Sequence, residues 1–300
     1  MDFDGAIVVD KPQGITSHDV VNRVRRLFET RKVGHLGTLD PLATGVLPLV
    51  IGRATRLAQF FVLGEKKYDA WIRFGFSTDT YDREGAPASE AVEPSFGRED
   101  LDRALEKFRG TFLQTPPLVS AKKVGGTPAY KLARKKIAVE LKPVEVTVLS
   151  LELVEFTGQA ARILVHCSAG TYVRSIAHEL GRELGCGAFI EQLRRTASGE
   201  FTESQARSFE VLDELARNGR LREALIPASE LLPQFPAALV DAQTAGSIRQ
   251  GKDFRLSPFR PAPNAKLVKA MTEEGALVAI GEARLPHLYH PVVVLWGDPE

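Results

Sequence analysis

The spacing of hydrophobic residues along the chain predicts a series of β-strands. In Lys66–Phe76, apolar residues at every second position alternate with mostly charged ones, the pattern of a strand buried on one face. Shorter apolar runs predict further strands at Gly5–Val9, Val46–Ile51, Val144–Glu155, Ala161–Cys167 and Phe189–Arg195.

Between these strands, apolar residues recur at the helical period. The first such segment follows Thr16 or Ser17, either of which would cap a helix. Further helices are predicted at Ala54–Val62, at Glu99–Phe108 before the stop residue Gly110, and at Thr171–Leu184 with Thr171 as the cap. Strands and helices are interleaved, but few strand–helix–strand units repeat in order. We therefore expect an α+β domain with a mostly antiparallel sheet.

A domain boundary is predicted near Pro233–Pro236, which separates residues 1–233 from residues 234–300. The smaller part contains one predicted helix, Asp241–Gln250, and a proline-rich loop. It also contains predicted strands at Leu267–Met271, Ala276–Ile280 and Val292–Trp296. A small β-rich domain is therefore expected at the end of the chain.

Composition excludes several classes of protein. Hydrophobic residues make up 44% of the 300 residues, enough for a sizeable core, and the net charge is +1. No apolar run is long enough for a membrane span, and the first residues do not form a signal peptide. Two cysteines without a Cys-x-x-Cys pair argue against a disulfide framework or a structural zinc site, and they fit the reducing cytoplasm. No phosphate-binding glycine motif or metal-binding histidine spacing occurs.

Charge is distributed unevenly along the chain. Residues 76–106 carry a net charge of −6, whereas residues 120–143 carry +6. The basic stretch includes Tyr130 and has the composition of a segment that binds a phosphate backbone. Charge alone is equally typical of a solvated helix face, so both readings stay open.

The loop from Gly34 to Gly45 is the most unusual segment of the chain. Its three glycines, one proline and several polar residues predict an irregular loop between a helix and a strand. Asp40 precedes Pro41 there, which is equally typical of a simple turn. From the residues alone, a catalytic and a structural role for Asp40 both remain open.

A set of segments along nearly the whole chain resembles the TruB-type tRNA pseudouridine synthases. The loop containing Asp40 is the most specific of them, and the others occur in the same order as in that family. The segments are Asp10–Gly14, Thr16–Ser17, Gly34–Pro48, Gly52–Thr55, Lys66–Tyr68, Thr78–Thr80, Gln114–Pro117, Ser120–Lys123, Tyr130–Arg134, Cys167–Ser175 and Leu193–Arg195.

The resemblance implies a pseudouridine synthase fold with a mixed, mostly antiparallel central sheet and a small C-terminal PUA-like domain. It implies that Asp40 is the essential aspartate and that Arg174 pairs with it. Tyr68 would stack on the target uracil and take part in removing the proton from C5. Without the resemblance, Tyr68 would be read as core packing and Arg174 as a surface residue.

The resemblance also implies residues that bind the substrate. His35 would help to extrude the target base, Lys11 would support the active site, and Leu193 would form an apolar wall of the pocket. Tyr172 is assigned to substrate binding as well. An insertion at about residues 117–143 would clasp the T-arm of tRNA, and its expected contacts are Lys122, Lys123, Tyr130, Lys131 and Arg134.

The implied reaction is an isomerisation that needs no cofactor and no metal. A carboxylate can attack the ribose or stabilise positive charge on it, and an ion pair with Arg174 would keep Asp40 ionised. We expect a monomer that acts on the T-loop of tRNA, at uridine 55, without a guide RNA. One departure from the family pattern is Val119, which stands where relatives commonly have tyrosine.

Two alternatives remain open at this point. The chain could serve mainly as an RNA-binding protein that helps tRNA to fold. It could also be the guide-RNA-dependent relative that modifies ribosomal RNA, although the basic insertion and the compact C-terminal domain argue against this reading.

Overall fold

A computed structural model describes residues 3–120, 123–124, 127–128, 141–256 and 265–295. Its α-helices are α1 (Ser17–Leu27), α2 (Arg98–Glu106), α3 (Val173–Glu183), α4 (Phe209–Arg217) and α5 (Ala242–Arg249). Short 3-10 helices occupy Gly52–Phe60, Glu203–Gln205 and Leu221–Ala224. None of the helices in the described residues has both the length and the apolar character that crossing a membrane requires.

Seventeen strands are described. Those of the larger, N-terminal part are β1 (Gly5–Lys11), β2 (Val33–His35), β3 (Thr44–Ile51), β4 (Lys66–Phe74), β5 (Gly110–Gln114), β6 (Lys123–Val124), β7 (Thr127–Pro128), β8 (Val144–Phe156), β9 (Ala160–Cys167), β10 (Ala188–Ser198), β11 (Phe201–Thr202) and β12 (Ile226–Pro227). The remaining ones are β13 (Ala237–Leu239), β14 (Phe254–Arg255), β15 (Leu267–Met271), β16 (Leu277–Leu285) and β17 (Leu288–Val294).

A ten-stranded sheet dominates the fold. Its order is β12-β1-β3-β10-β4-β9-β8-β5, with β2 added to β3 and β11 added to β10. Only β3 and β10 pair in parallel, and every other described pair in this sheet is antiparallel. The expected mixed, mostly antiparallel sheet is therefore confirmed. A second sheet of five strands, in the order β13-β15-β16-β17-β14, follows towards the C-terminus, and β6 and β7 form a two-stranded ribbon.

Two apolar clusters hold the large sheet in place. One face packs on α1, α2, α3 and α4 through residues such as Val24, Leu101, Ile176 and Leu212. The other cluster joins this sheet to the second sheet, because Val8 and Val50 belong to the same cluster as Ile280 and Val293. Arg56 adds a hydrogen bond of 2.7 Å from Nη1 to the carbonyl oxygen of Val294.

Several boundaries differ from the sequence prediction. The predicted Ala54–Val62 helix is a 3-10 helix, and the last predicted strand lies several residues earlier, at Leu288–Val294. Thr16 caps α1 as expected, and its hydroxyl accepts a hydrogen bond from the backbone N–H of Asp19. Thr171 was the wrong cap for α3, which begins at Val173 after Tyr172. The Thr171 hydroxyl instead lies 3.3 Å from that of Ser168.

Candidate active site

The loop that carries Asp40 joins β2 to β3, and side chains from α1 and β1 hold it by hydrogen bonds to its backbone. The buried Ser17 hydroxyl, in the first turn of α1, donates to the carbonyl of Leu39 at 3.0 Å and accepts from its N–H at 2.8 Å. The fully buried Lys11 ammonium donates to the carbonyls of Pro41 at 3.2 Å and of Ala43 at 2.7 Å. These contacts fix the backbone on both sides of Asp40.

The loop ends at a glycine for a steric reason. Gly45 has a φ of +97°, and it is paired with Arg195 of β10 in the parallel part of the sheet. A Cβ atom at this position would lie 2.3 Å from the carbonyl oxygen of Arg195. Because a side chain would separate the strands, glycine allows the loop to enter β3 directly beside β10.

Arg174 is the central charged residue of the site. Its side chain is 3% exposed, and Nη2 lies 2.9 Å from Oδ2 of Asp40, so the ion pair that the resemblance implied is present. Nη1 lies 3.2 Å from Oδ2 of Asp82 and donates to the carbonyl of Thr80 at 2.8 Å. Nη2 also donates to the carbonyl of Val119 at 3.0 Å. The residue at position 119 thus contacts Arg174 through its backbone, which any amino acid at that position provides.

A cavity of about 350 Å³ opens beside this ion pair. Five residues that the sequence assigned to the site line it together with Arg174: His35, Asp40, Tyr68, Tyr172 and Leu193. Lys11 does not line the cavity; its ammonium is buried against the backbone carbonyls of the Asp40 loop. Apolar side chains such as Leu36, Leu39 and Leu193 share the lining with the Asp40 carboxylate, a combination that is typical of binding sites for small organic groups.

Burial changes the acidity of the groups around the cavity. It raises the pKa of Asp40 above the ordinary value of 3.8, and the neighbouring Arg174 only partly offsets this effect. Burial therefore opposes the expected effect of the ion pair, which was to keep Asp40 ionised. Although 35% of the Asp40 side chain is exposed, the exposed part faces a concave cavity where hydration is limited. The ion pair orients the carboxylate more than it acidifies it.

Burial also disfavours the charged forms of Tyr68, His35 and Lys11. Burial raises the pKa of Tyr68, so its phenol is neutral at pH 7, and Arg195 works against this shift. Burial also lowers the pKa of His35, with a further contribution from Arg195, so that its imidazole is neutral as well. The pKa of Lys11 falls from 10.5 to about 8, chiefly through burial, although Asp40 raises it.

Three important residues were not assigned a role from the sequence. Asp82 belongs to the acidic stretch, yet its side chain is 6% exposed and contacts Arg174. Lys66 and Arg195 line the cavity and lie on β4 and β10, two residues from Tyr68 and Leu193 respectively. That two-residue spacing places them on the same strand faces, which is the signal that could have found them.

Some of the predicted contacts lie outside the described residues. These are Lys122, Tyr130, Lys131 and Arg134, together with the side chain of Lys123 in β6. Within the described part of the chain, no group of three or more histidine, cysteine or acidic residues is arranged to hold a metal ion.

Comparison with known proteins finds matches to two domain models of one family. Residues 25–173 match the TruB family pseudouridylate synthase N-terminal domain, and residues 174–233 match the tRNA pseudouridylate synthase B C-terminal domain. A protein named tRNA pseudouridine synthase B from Solibacter usitatus is 61% identical over 98% of this chain and 100% of its own length. Its namesake from Aquifex aeolicus is 41% identical over 94% of this chain and 96% of its own length.

Among solved structures, one titled as an H/ACA RNP bound to a substrate RNA containing 2′-deoxyuridine is similar in fold. It superposes with a TM-score of 0.72 at 25% identity, covering 98% of this chain and 85% of the other. The similarity extends across both sheets, since only 2% of the chain falls outside the match.

Proposed function

The chain belongs to the TruB family of pseudouridylate synthases, and from this we propose that it converts uridine 55 in the T-loop of tRNA to pseudouridine. The observation that carries the proposal is the ion pair of Asp40 with the buried Arg174 at the end of a cavity lined by Tyr68 and Leu193. The relatives named tRNA pseudouridine synthase B support tRNA as the substrate.

The first chemical step breaks the C1′–N1 bond of the target uridine. Asp40 would either bond to the substrate as a nucleophile or stabilise positive charge on the ribose. The fastened loop and Arg174 hold the carboxylate in one orientation, which reduces the entropy lost on reaching the transition state. The raised pKa of Asp40 makes its carboxylate a better nucleophile than an ordinary aspartate, provided that it is ionised.

The detached uracil must then turn and present C5 to C1′. Tyr68 and Leu193 lie on adjacent antiparallel strands, and both line the cavity. An aromatic and an aliphatic wall would hold the ring by stacking while keeping bulk water out. After C5 bonds to C1′, Tyr68 is the candidate to remove the C5 proton, directly or through a water molecule. Because its phenol is neutral, Tyr68 would pass its own hydroxyl proton on towards N1 as it accepts the proton from C5. N1 of the product gains a proton, so the reaction is balanced without a cofactor.

The target nucleotide must leave the RNA stack to reach Asp40. Unstacking costs about a few kcal/mol, which contacts with Tyr68 and Tyr172 would offset, while His35 at the cavity wall would take the place of the base. The basic insertion at about residues 117–143 would clasp the T-arm, and residues 234–300 would form a PUA-like RNA-binding domain. The enzyme would act as a monomer in the cytoplasm, where its tRNA substrate is found.

The guide-RNA-dependent alternative receives less support. The solved structure titled as an H/ACA RNP is 25% identical to this chain, whereas the tRNA pseudouridine synthase B relatives are 61% and 41% identical. Catalysis on bare tRNA, without added protein or guide RNA, would separate the two readings.

The test is tritium release from tRNA labelled at C5 of its uridines. The wild type should release tritium from one site of the T-loop, and Asp40→Asn should release none while still binding tRNA. If neither protein releases tritium and both bind tRNA, the chain is an RNA-binding protein and the proposed catalytic function is wrong. Activity of Asp40→Asn within tenfold of the wild type would refute the assignment of Asp40.

A further inference from the structure

Two buried cations lie on the cavity wall and have no carboxylate partner in the described part of the chain. Arg195 is 1% exposed and Lys66 is 8% exposed. Arg195 donates to the carbonyls of Val46, Thr38 and Gly37 at 2.8, 3.3 and 3.1 Å. Lys66 has one hydrogen-bond partner there, the carbonyl of Gly64. The carbonyl groups accept hydrogen bonds from both side chains, but they carry no negative charge to pair with the two cations.

These two cations also lie close to each other. A Cβ atom added at Gly37 would be 3.5 Å from Nη1 of Arg195 and 3.9 Å from Cε of Lys66, so both side chains flank one point of the loop. Arg195 is directly opposite Tyr68 in the β10–β4 pair, and Lys66 precedes Tyr68 by two residues on the same face. Burying two like charges together costs stability, and such an arrangement persists where it serves a site.

The charges around the cavity are therefore polarised. Beside Asp40, the carboxylates of Asp40 and Asp82 are balanced by Arg174 and by the buried Lys11 ammonium, so the charges there sum to zero when both carboxylates are ionised. The end beside Tyr68 carries the two charges of Lys66 and Arg195. The other titratable groups on the cavity wall are His35, Tyr68 and Tyr172, which are neutral at pH 7.

Breaking the C1′–N1 bond separates charge with the same polarity. The electron pair of the bond leaves with the base, so the ribose becomes positive and the uracil becomes an anion with charge on N1 and the ring oxygens. The Asp40 carboxylate on the cavity wall suits the positive ribose, and the two cations without a carboxylate partner suit the anionic base. We propose that Lys66 and Arg195 stabilise the detached uracil anion, a role that rests on the proposed function.

The two residues would contribute differently. Lys66 retains unused N–H donors at the cavity wall and would approach a uracil oxygen directly. Arg195 is enclosed by carbonyls and by Tyr68, so it acts as a positioning residue that holds Tyr68 and the Gly37–Thr38 backbone and adds its positive field. Fixed charges of this kind need no rearrangement during the reaction, which is why they lower a barrier efficiently.

The experiment compares two leaving groups in single-turnover reactions at saturating T-arm RNA. The target nucleotide is either uridine or 5-fluorouridine, whose fluorine stabilises the uracil anion by withdrawing electrons. The rate is the loss of the parent nucleoside, measured by nuclease digestion and chromatography. The proteins are the full-length wild type, Lys66→Gln, Lys66→Arg and Arg195→Lys. The matched control is Lys67→Gln, which changes an exposed lysine on the other face of β4.

We expect Lys66→Gln to slow the uridine reaction about 100-fold, the usual loss for one such group. Because 5-fluorouracil needs less stabilisation, the same variant should lose about 10-fold or less with 5-fluorouridine. Lys66→Arg keeps the charge and should recover most of the rate with uridine. Arg195→Lys also keeps the charge but loses the contacts of the separate guanidinium nitrogens, so it should slow both substrates to a similar extent. Lys67→Gln should match the wild type with both substrates.

Three results would overturn the inference. Equal losses with both substrates would mean that Lys66 has only a structural role, and thermal melting of each variant would confirm folding. A weaker RNA affinity with an unchanged saturated rate would mean that the two cations bind a phosphate of the target nucleotide. If Lys66→Gln reacts as fast as the wild type, Lys66 has no role in the reaction. If the wild type converts neither RNA, the proposed function fails instead.

Discussion

The two carboxylates that contact Arg174 should respond in opposite ways to neutralisation. Asp82 is almost fully buried, whereas 35% of the Asp40 side chain faces the cavity. Oδ1 of Asp82 also accepts hydrogen bonds from the Thr80 hydroxyl at 2.7 Å and from the N–H of Glu84 at 3.1 Å. Asp82 is thus an integral part of the folded structure, while Asp40 faces the cavity.

Replacing Asp82 with asparagine breaks a buried ion pair. Such a loss costs about 3–5 kcal/mol, and the hydrogen bonds that an asparagine oxygen can still accept place the effect near the lower end. At about 2–4 °C per kcal/mol for a chain of this size, Asp82→Asn should melt about 6–12 °C below the wild type. Its turnover should also fall, because Arg174 loses one of its anchors.

Replacing Asp40 with asparagine should leave stability unchanged or increase it. Burial raises the pKa of Asp40, which means that the ionised carboxylate is disfavoured in the folded state at neutral pH. Arg174 keeps Asp82 and the carbonyls of Thr80 and Val119 after the substitution. Any stability gain should be present at pH 7 and should vanish as the pH falls through the raised pKa, since the wild-type carboxyl is then also protonated.

Circular dichroism melts of the wild type and both variants, at pH 7 and near pH 4, measure these effects, and tritium release measures turnover. The expected pattern is an inactive Asp40→Asn with a normal or higher melting temperature and a destabilised Asp82→Asn. If Asp40→Asn is destabilised at pH 7 as much as Asp82→Asn, the two carboxylates support Arg174 equally and the reasoning is wrong.

Three further predictions concern the groups around the cavity. Tyr68→Phe should bind tRNA with normal affinity in a filter assay yet release no tritium; normal release would exclude a role for its hydroxyl. In a pH profile of kcat/KM, the midpoint of the fall on the acid side should lie above the ordinary aspartate pKa of 3.8, because Asp40 must be ionised to act and its pKa is raised. A midpoint at or below pH 3.8 would contradict the raised pKa. Lys11→Met should lower the free energy of unfolding by about 2 kcal/mol, since the carbonyls of Pro41 and Ala43 lose their donor. Chemical denaturation measures this change, and a value under about 0.5 kcal/mol, half of what one hydrogen bond usually contributes, would contradict it.

The strands of the large sheet could be predicted because their patterns are local. In β4 the alternation of Tyr68, Ala70 and Ile72 with polar residues reports burial on one face, and the structure has that face in the core. The short strands β2, β5 and β12 and the helix α4 were not predicted. Each of the three strands depends on a partner distant in sequence, as when Ala6 pairs with Ile226, so the sequence around it contains no sufficient signal.

The site was predictable only in part. Asp40, Tyr68 and Arg174 were assigned through the resemblance, and the structure brings all three to one cavity. Asp82 was counted only in the net charge of residues 76–106, because nothing in its neighbourhood reveals that it meets a guanidinium 92 residues away. Arg195 resembled an ordinary charged residue on a strand. Its burial depends on β3, β4 and the Asp40 loop converging on it, which no local pattern contains.

The apolar cluster shared by the two sheets has a consequence for dividing the protein into fragments. Val8 and Val50 lie in the same cluster as Ile280 and Val293. A chain that ends before β13 would therefore expose an apolar surface on the part that carries the cavity. Such a fragment would tend to self-associate, even though it retains every residue that lines the cavity. Thermal unfolding of the intact chain should accordingly proceed as one cooperative event, with both sheets lost together.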